Sequence, residues 1–120
     1  MTKSIEGGCF CGHLRYRFPE KPYPAGNCHC RMCQRLSGSA YVPWVVIPIT
    51  KFEYLGAEPK ILKSSPKATR HFCQECGTPL AYIQEKRPDE IAITVCSLDD
   101  PEKYVPTVDL FTDTKLAWLT

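Results

Sequence analysis

Apolar residues in this chain recur in short alternating runs rather than in helical stripes. Leu14, Tyr16 and Phe18 alternate with His13, Arg15 and Arg17, the pattern of a strand with one buried face. Residues 5–9 and 13–18 flank Cys9-Phe10-Cys11-Gly12, which predicts a hairpin with a cysteine knuckle at its tip. A denser apolar run at 40–47 predicts a strand, and further strands are expected at 50–55, 61–64, 69–72, 79–83 and 90–95. Only 30–37, closed by Gly38, reads as a helix. Residues 21–27 read as loop and 98–101 as a turn, while 108–118 are expected to add one more strand and an aromatic plug. Eleven prolines and seven glycines keep the pieces short. The prediction is a mainly β fold of short hairpins with one short helix.

Composition narrows the class without changing that picture. A length of 120 residues fits one domain, taken as 1–120. Hydrophobic content of 43% and charged content of 23% are those of an ordinary globular protein. The net charge is only +2, with no basic stripe interleaved with aromatics, so no nucleic-acid partner is expected. No apolar run approaches the roughly 20 residues that span a bilayer, so no membrane partner is expected. Residues 1–9 show no apolar signal region, and a cytoplasmic location is expected. Reduced cysteines in that compartment read as metal ligands or redox groups rather than as a secreted disulfide framework.

The cysteines carry the chemistry. Seven of the eight fall into Cys9-x-Cys11, Cys28-x-Cys30-x-x-Cys33 and Cys73-x-x-Cys76. Thiolates one or two residues apart close on one soft metal ion with little loop entropy. Cys73-Gln74-Glu75-Cys76-Gly77 is half of a zinc ribbon; a thioredoxin-like redox pair would need a following helix, and Gly77-Thr78-Pro79 predicts a hairpin instead. Its natural partner is Cys9-x-Cys11, giving a structural zinc held by Cys9, Cys11, Cys73 and Cys76. Cys28, Cys30 and Cys33 converge at the start of the short helix and read in two ways. They are a second structural zinc site, closed by His29, His71 or Cys96, or three thiolates with an exchangeable fourth position suited to another soft sulfur ligand. Zinc is the expected metal; iron is the alternative for four-thiolate sites.

These motifs also carry a resemblance. Gly7-Gly8-Cys9-Phe10-Cys11-Gly12, Cys28-His29-Cys30-Arg31-Met32-Cys33-Gln34-Arg35 with Ser37-Gly38-Ser39, Phe72-Cys73-Gln74-Glu75-Cys76-Gly77-Thr78-Pro79, and Leu98-Asp99-Asp100-Pro101 together resemble the glutathione-dependent formaldehyde-activating enzyme family, also called centromere protein V-like. The resemblance spans nearly the whole chain. It implies an Mss4-like, or β-tent, zinc-binding fold with two zinc ions per chain: the four-cysteine structural site, and a working zinc on Cys28, Cys30 and Cys33. It implies glutathione as co-substrate, its sulfur taking the fourth position of that zinc. The implied reaction adds the thiol to formaldehyde to give S-hydroxymethylglutathione, formally the work of a carbon–sulfur lyase. The chain lacks the long basic, proline-rich N-terminal extension of the vertebrate centromere protein, so no chromatin role is expected.

The leading expectation is therefore a zinc-dependent enzyme joining a small-molecule thiol and a small aldehyde. The alternatives are a non-catalytic zinc- or thiol-binding module and a thiol redox enzyme using Cys96, which otherwise reads as a buried small hydrophobe. Arg31, Arg35, Lys63 and Arg70 are candidates to pair with carboxylates of the tripeptide, or are ordinary surface cations. Tyr41, Trp44 and Phe52 wall the pocket or belong to the core. His29 reads as a neighbour of the metal site or a solvent-facing group, His13 and His71 as surface or core-edge groups. Asp99 and Asp100 build the turn or supply a base, and Trp118 packs the core.

Overall fold

The structure is a computed structural model and describes residues 3–119. Among these residues ten strands form two sheets, with one short α-helix. The strands are β1 (Ser4–Gly8), β2 (Arg15–Pro19), β3 (Ala25–Cys28), β4 (Val42–Pro48), β5 (Glu53–Leu55), β6 (Lys60–Ser65), β7 (Ala68–Phe72), β8 (Pro79–Gln84), β9 (Glu90–Thr94) and β10 (Val108–Leu110); the helix α1 is Arg31–Ser37. The smaller sheet has the order β1-β2-β5 and the larger β10-β3-β4-β9-β8-β7-β6. Every pairing is antiparallel except β10 with β3, which is parallel.

Both sheets bury side chains in one core. Leu14, Tyr16 and Phe18 come from the first hairpin, and Val45, Ile47, Ile91 and Ile93 from the centre of the larger sheet; each is at most 1% exposed. The alternation read from the sequence at 13–18 is thus the inward face of β2. The Tyr16 hydroxyl, buried among these groups, shares a hydrogen bond with Ser97 Oγ at 2.7 Å.

The dense apolar run of β4 has a physical reason. Its odd residues Val45 and Ile47 face the main core, while Val42 and Trp44 join a second buried cluster with Cys28 and Cys33. A strand buried on both faces shows no polar alternation. The three-cysteine segment therefore lies on the reverse face of the central sheet, with an apolar cluster of its own.

Four expectations need correction. The end of the expected loop, residues 25–27, belongs instead to strand β3, which gains its ladder from β4 on one side and β10 on the other. The strand expected at 50–55 begins as a 3-10 turn over Ile49–Lys51, and only Glu53–Leu55 pairs with β2. Residues 108–118 supply β10 but no plug, for Trp118 is 71% exposed. Cys96 is exposed on the 3-10 turn Val95–Ser97 rather than a buried hydrophobe.

Candidate metal centres

Two hairpin knuckles meet to make the first cluster. Gly12 follows the β1-side cysteines at φ +82°, and Gly77 follows Cys73-x-x-Cys76 at φ +83°. Both are left-handed positions that admit glycine without a Cβ clash, and they let each loop turn its sulfurs inward. The same backbone logic recurs in each: Gly12 N–H donates to Cys9 O at 3.2 Å, and Gly77 N–H donates to Cys73 O at 2.7 Å. Phe10 N–H donates to Thr78 Oγ1 at 3.0 Å and ties one knuckle to the other.

The four sulfurs of Cys9, Cys11, Cys73 and Cys76 lie within 4.8 Å of one another. Cys9–Cys11 is 3.6 Å and Cys11–Cys73 is 3.8 Å. Thiolates about 2.3 Å from a tetrahedral zinc would stand about 3.8 Å apart, so the set fits such an ion. Cys73 is fully buried and Cys9 nearly so, which seals one side of the cluster. The thiols perturb one another as packed sulfurs must. Cys76 is drawn down to about 5, first by the Thr78 hydroxyl at 3.2 Å, while Cys11 is pushed up to about 12. Such a cluster sheds protons to accept a metal.

The second cluster is built at one sheet end. Cys28 ends β3, Cys30 is the N-cap of α1 with its sulfur accepting from Cys33 N–H at 3.3 Å, and Cys33 sits in the first turn. Gly38 closes the helix in the left-handed conformation, as the sequence predicts. Cys28 Sγ lies 3.4 Å from Cys30 Sγ and 3.3 Å from Cys33 Sγ, a few tenths of an ångström inside the tetrahedral spacing. Among the described residues, no fourth His, Cys, Asp or Glu atom joins this group. His29 is turned away: its imidazole is buried, with Nε2 on Asp109 Oδ1 at 2.9 Å and its ring against Tyr41. His71 lies in β7 at the core edge, its Nδ1 2.8 Å from the Tyr54 hydroxyl.

The group that does reach the cluster is Arg70. Its Nη1 and Nη2 donate to Cys33 Sγ, both at 3.7 Å, and its guanidinium lies 4.8 Å from the Tyr82 ring and 5.9 Å from the Trp44 ring. Cys33 is drawn down to about 5, first by the Cys28 thiol and then by Cys30 and the Arg70 charge; Cys28 is pushed far up in exchange. The guanidinium against Cys33 Sγ favours the thiolate form of that sulfur. A cavity of about 310 Å³ opens beside Cys33 and runs to Gly77, next to the first cluster.

Of the four candidate cations, only Arg70 lines this cavity. Arg31 is spent on Gln34 Oε1 at 2.7 Å. Trp44 is a wall, as one reading held, but Phe52 packs on Tyr16 and Tyr54 in the main core. Asp99 receives a bidentate pair from Arg15 at 2.9 and 2.5 Å, and Asp100 caps the next turn through Glu102 N–H, so both serve the 98–101 turn. That Arg70, His71 and Phe72 line one cavity was not legible in the sequence. A bulge at His71/Phe72 breaks the two-residue alternation of β7, and nothing in the residue pattern marks it.

A two-sheet β scaffold thus carries a four-thiol cluster and a separate three-thiol cluster at a cavity, each of which could hold a metal ion. The sequence profile described as glutathione-dependent formaldehyde-activating enzyme matches residues 4–114, and the chain belongs to that family. It is 26% identical over 124 residues to a Halomonas elongata protein provisionally named a glutathione-dependent formaldehyde-activating enzyme, covering 96% of this chain and 79% of that one. Its fold is similar to the crystal structure of a Rhodobacter sphaeroides protein solved as a structural genomics target. That match has a TM-score of 0.68 and 19% identity, over 87% of this chain and 98% of the other.

Proposed function

We propose that the protein is a zinc-dependent enzyme of carbon–sulfur chemistry. In this reading it joins a small-molecule thiol such as glutathione to a small aldehyde, or reverses that addition, in the manner of S-hydroxymethylglutathione formation. The observation that carries the reading is the contrast between the two clusters: four thiols complete a tetrahedron at the first, whereas three thiols stand beside an open cavity at the second. Closed sites build structure and open sites can do chemistry.

Cys9, Cys11, Cys73 and Cys76 hold the structural zinc in this account, and Cys28, Cys30 and Cys33 the second. A zinc ion there supplies a soft position for one more sulfur. The chain's own residues do the rest. Arg70 balances the negative charge of three thiolates, which a second incoming anion would otherwise meet. The Cys33 amide donates to Cys30 Sγ and fixes that sulfur's direction. Trp44 and Tyr82 hold the guanidinium in place from their ring faces. Binding thiol and aldehyde side by side lowers the entropic cost of an addition that also proceeds in water.

The test is exchange NMR on glutathione, formaldehyde and their adduct. Wild type is expected to raise the exchange rate above buffer, and Cys28→Ser to return it to the buffer value while retaining its fold. Equal rates with wild type and with buffer would reduce the protein to a binding module.

A further inference from the structure

The cavity beside Cys33 is far larger than formaldehyde requires. Its volume of about 310 Å³ is of the size that small-molecule pockets have, at the lower end of their range. Formaldehyde has two heavy atoms and would leave most of that space unfilled. The tripeptide is a poor occupant for a different reason. The walls include Leu36, Trp44, Leu62, Phe72, Pro79 and Ala81, and the one permanently charged lining group is Arg70. His71 adds no charge near neutral pH, because burial depresses its pKa. A zwitterion with two carboxylates would lose its hydration there against a single cation. An apolar group loses nothing.

We propose that this chamber takes the apolar substituent of the electrophile: the aldehyde carries an aliphatic or aromatic arm of several carbons, matched to the apolar walls. This rests on the thiol–aldehyde reading above and names its substrate class. The tripeptide lies outside the mouth, and only its sulfur reaches the three-thiol cluster. Arg70 supplies the polar contact. A guanidinium has five N–H donors. Among the described residues the Arg70 guanidinium makes only two hydrogen bonds, both to Cys33 Sγ at 3.7 Å, so its Nη groups retain capacity for an oxygen beside that sulfur. In the addition, the thiol sulfur forms the new bond to the carbonyl carbon, the π pair moves to oxygen, and that oxygen takes the proton given up by the thiol. The product is a hemithioacetal; nothing is oxidised and no further reactant is needed. Arg70 faces the oxygen as it gains charge.

Calorimetric titration of the purified protein with unreactive adduct analogues tests this. S-hexylglutathione is expected to bind at least about 30-fold tighter than S-methylglutathione, since each fully buried methylene is worth about fourfold in affinity. In a Leu36→Gln/Leu62→Gln variant that advantage should shrink at least about tenfold, with S-methylglutathione binding unchanged. Both leucines are about two-fifths exposed, so the fold tolerates the change. Equal affinity for the two conjugates would overturn the chamber assignment and leave the thiol reading intact. Hexan-1-ol separates the two failures. If neither conjugate binds but hexan-1-ol does, and the double variant abolishes it, the chamber stands and glutathione falls. If hexan-1-ol also fails to bind, the chamber is overturned.

Discussion

Arg70 meets Cys33, Trp44 and Tyr82 together, so its replacement should be felt in chemistry before it is felt in stability. Arg70→Leu is expected to cut the exchange rate of the glutathione adduct by about tenfold or more, the scale of a lost hydrogen bond to a charged group. Arg70→Lys keeps the charge but not the planar fork, and should fall between. Exchange NMR gives the rates and a thermal melt reports the fold; full activity in Arg70→Leu would remove the residue from the account. Arg15 and Asp99 serve structure instead. Arg15 holds the Asp99 carboxyl below the usual range, chiefly through their hydrogen bonds. A depressed carboxylate stabilises the fold above its unfolded pKa of about 4 and loses that contribution as pH falls through the folded value. Asp99 is 56% exposed, so a double-mutant cycle at neutral pH should give no more than about 1 kcal/mol. The stability difference between wild type and Asp99→Asn should vanish in acid. At this scale the cysteines were legible because their ligand spacing is local. Arg70 was not singled out from Arg31, Arg35 and Lys63, because its partner Cys33 lies 37 positions away.

The elements that frame the second cluster are β3, α1 and the strap that begins with β10. His29 sits between two cysteines of the cluster yet serves the strap. Its carbonyl accepts from Thr114 Oγ1 at 2.8 Å and from Gln34 Nε2 at 3.1 Å, and its N–H donates to Leu110 O at 3.0 Å. Gln34 Nε2 also donates to Thr114 O at 3.2 Å, so one buried amide joins α1, β3 and the chain end. Gln34→Ala should cost about 1–3 kcal/mol, the price of orphaning buried partners. Hydrogen exchange should show β10 opening first. Protection of β10 equal to wild type would refute this role of Gln34. The sequence made α1 and most strands visible, since a closing glycine and apolar alternation are both local signals. It hid β3, whose Ala-Gly-Asn-Cys has no β-branched residue and is a strand only because two neighbours supply its hydrogen bonds. The plug failed for a related reason: an aromatic residue near a chain end announces apolarity but not a partner, and Trp118 finds none that buries it.

Across the molecule, the four-thiol cluster joins the β1–β2 hairpin of one sheet to the β7–β8 hairpin of the other. Breaking it should therefore cost the fold, while breaking the three-thiol cluster should cost only the site. Cys73→Ser is expected to unfold or aggregate and Cys28→Ser to melt cooperatively near wild type, as circular dichroism can report. A stable, native Cys73→Ser protein would contradict the structural role. The central claim, one closed and one open thiolate site, is tested most directly by metal content per chain with zinc-edge X-ray absorption, on wild type and Cys28→Ser, with and without glutathione. The account predicts close to two zincs in wild type and one in the variant. Four protein sulfurs at one ion and three at the other average about 3.5 per zinc, rising to about 4 when glutathione binds. A single zinc throughout, or a second zinc whose sulfur count ignores glutathione, would contradict it.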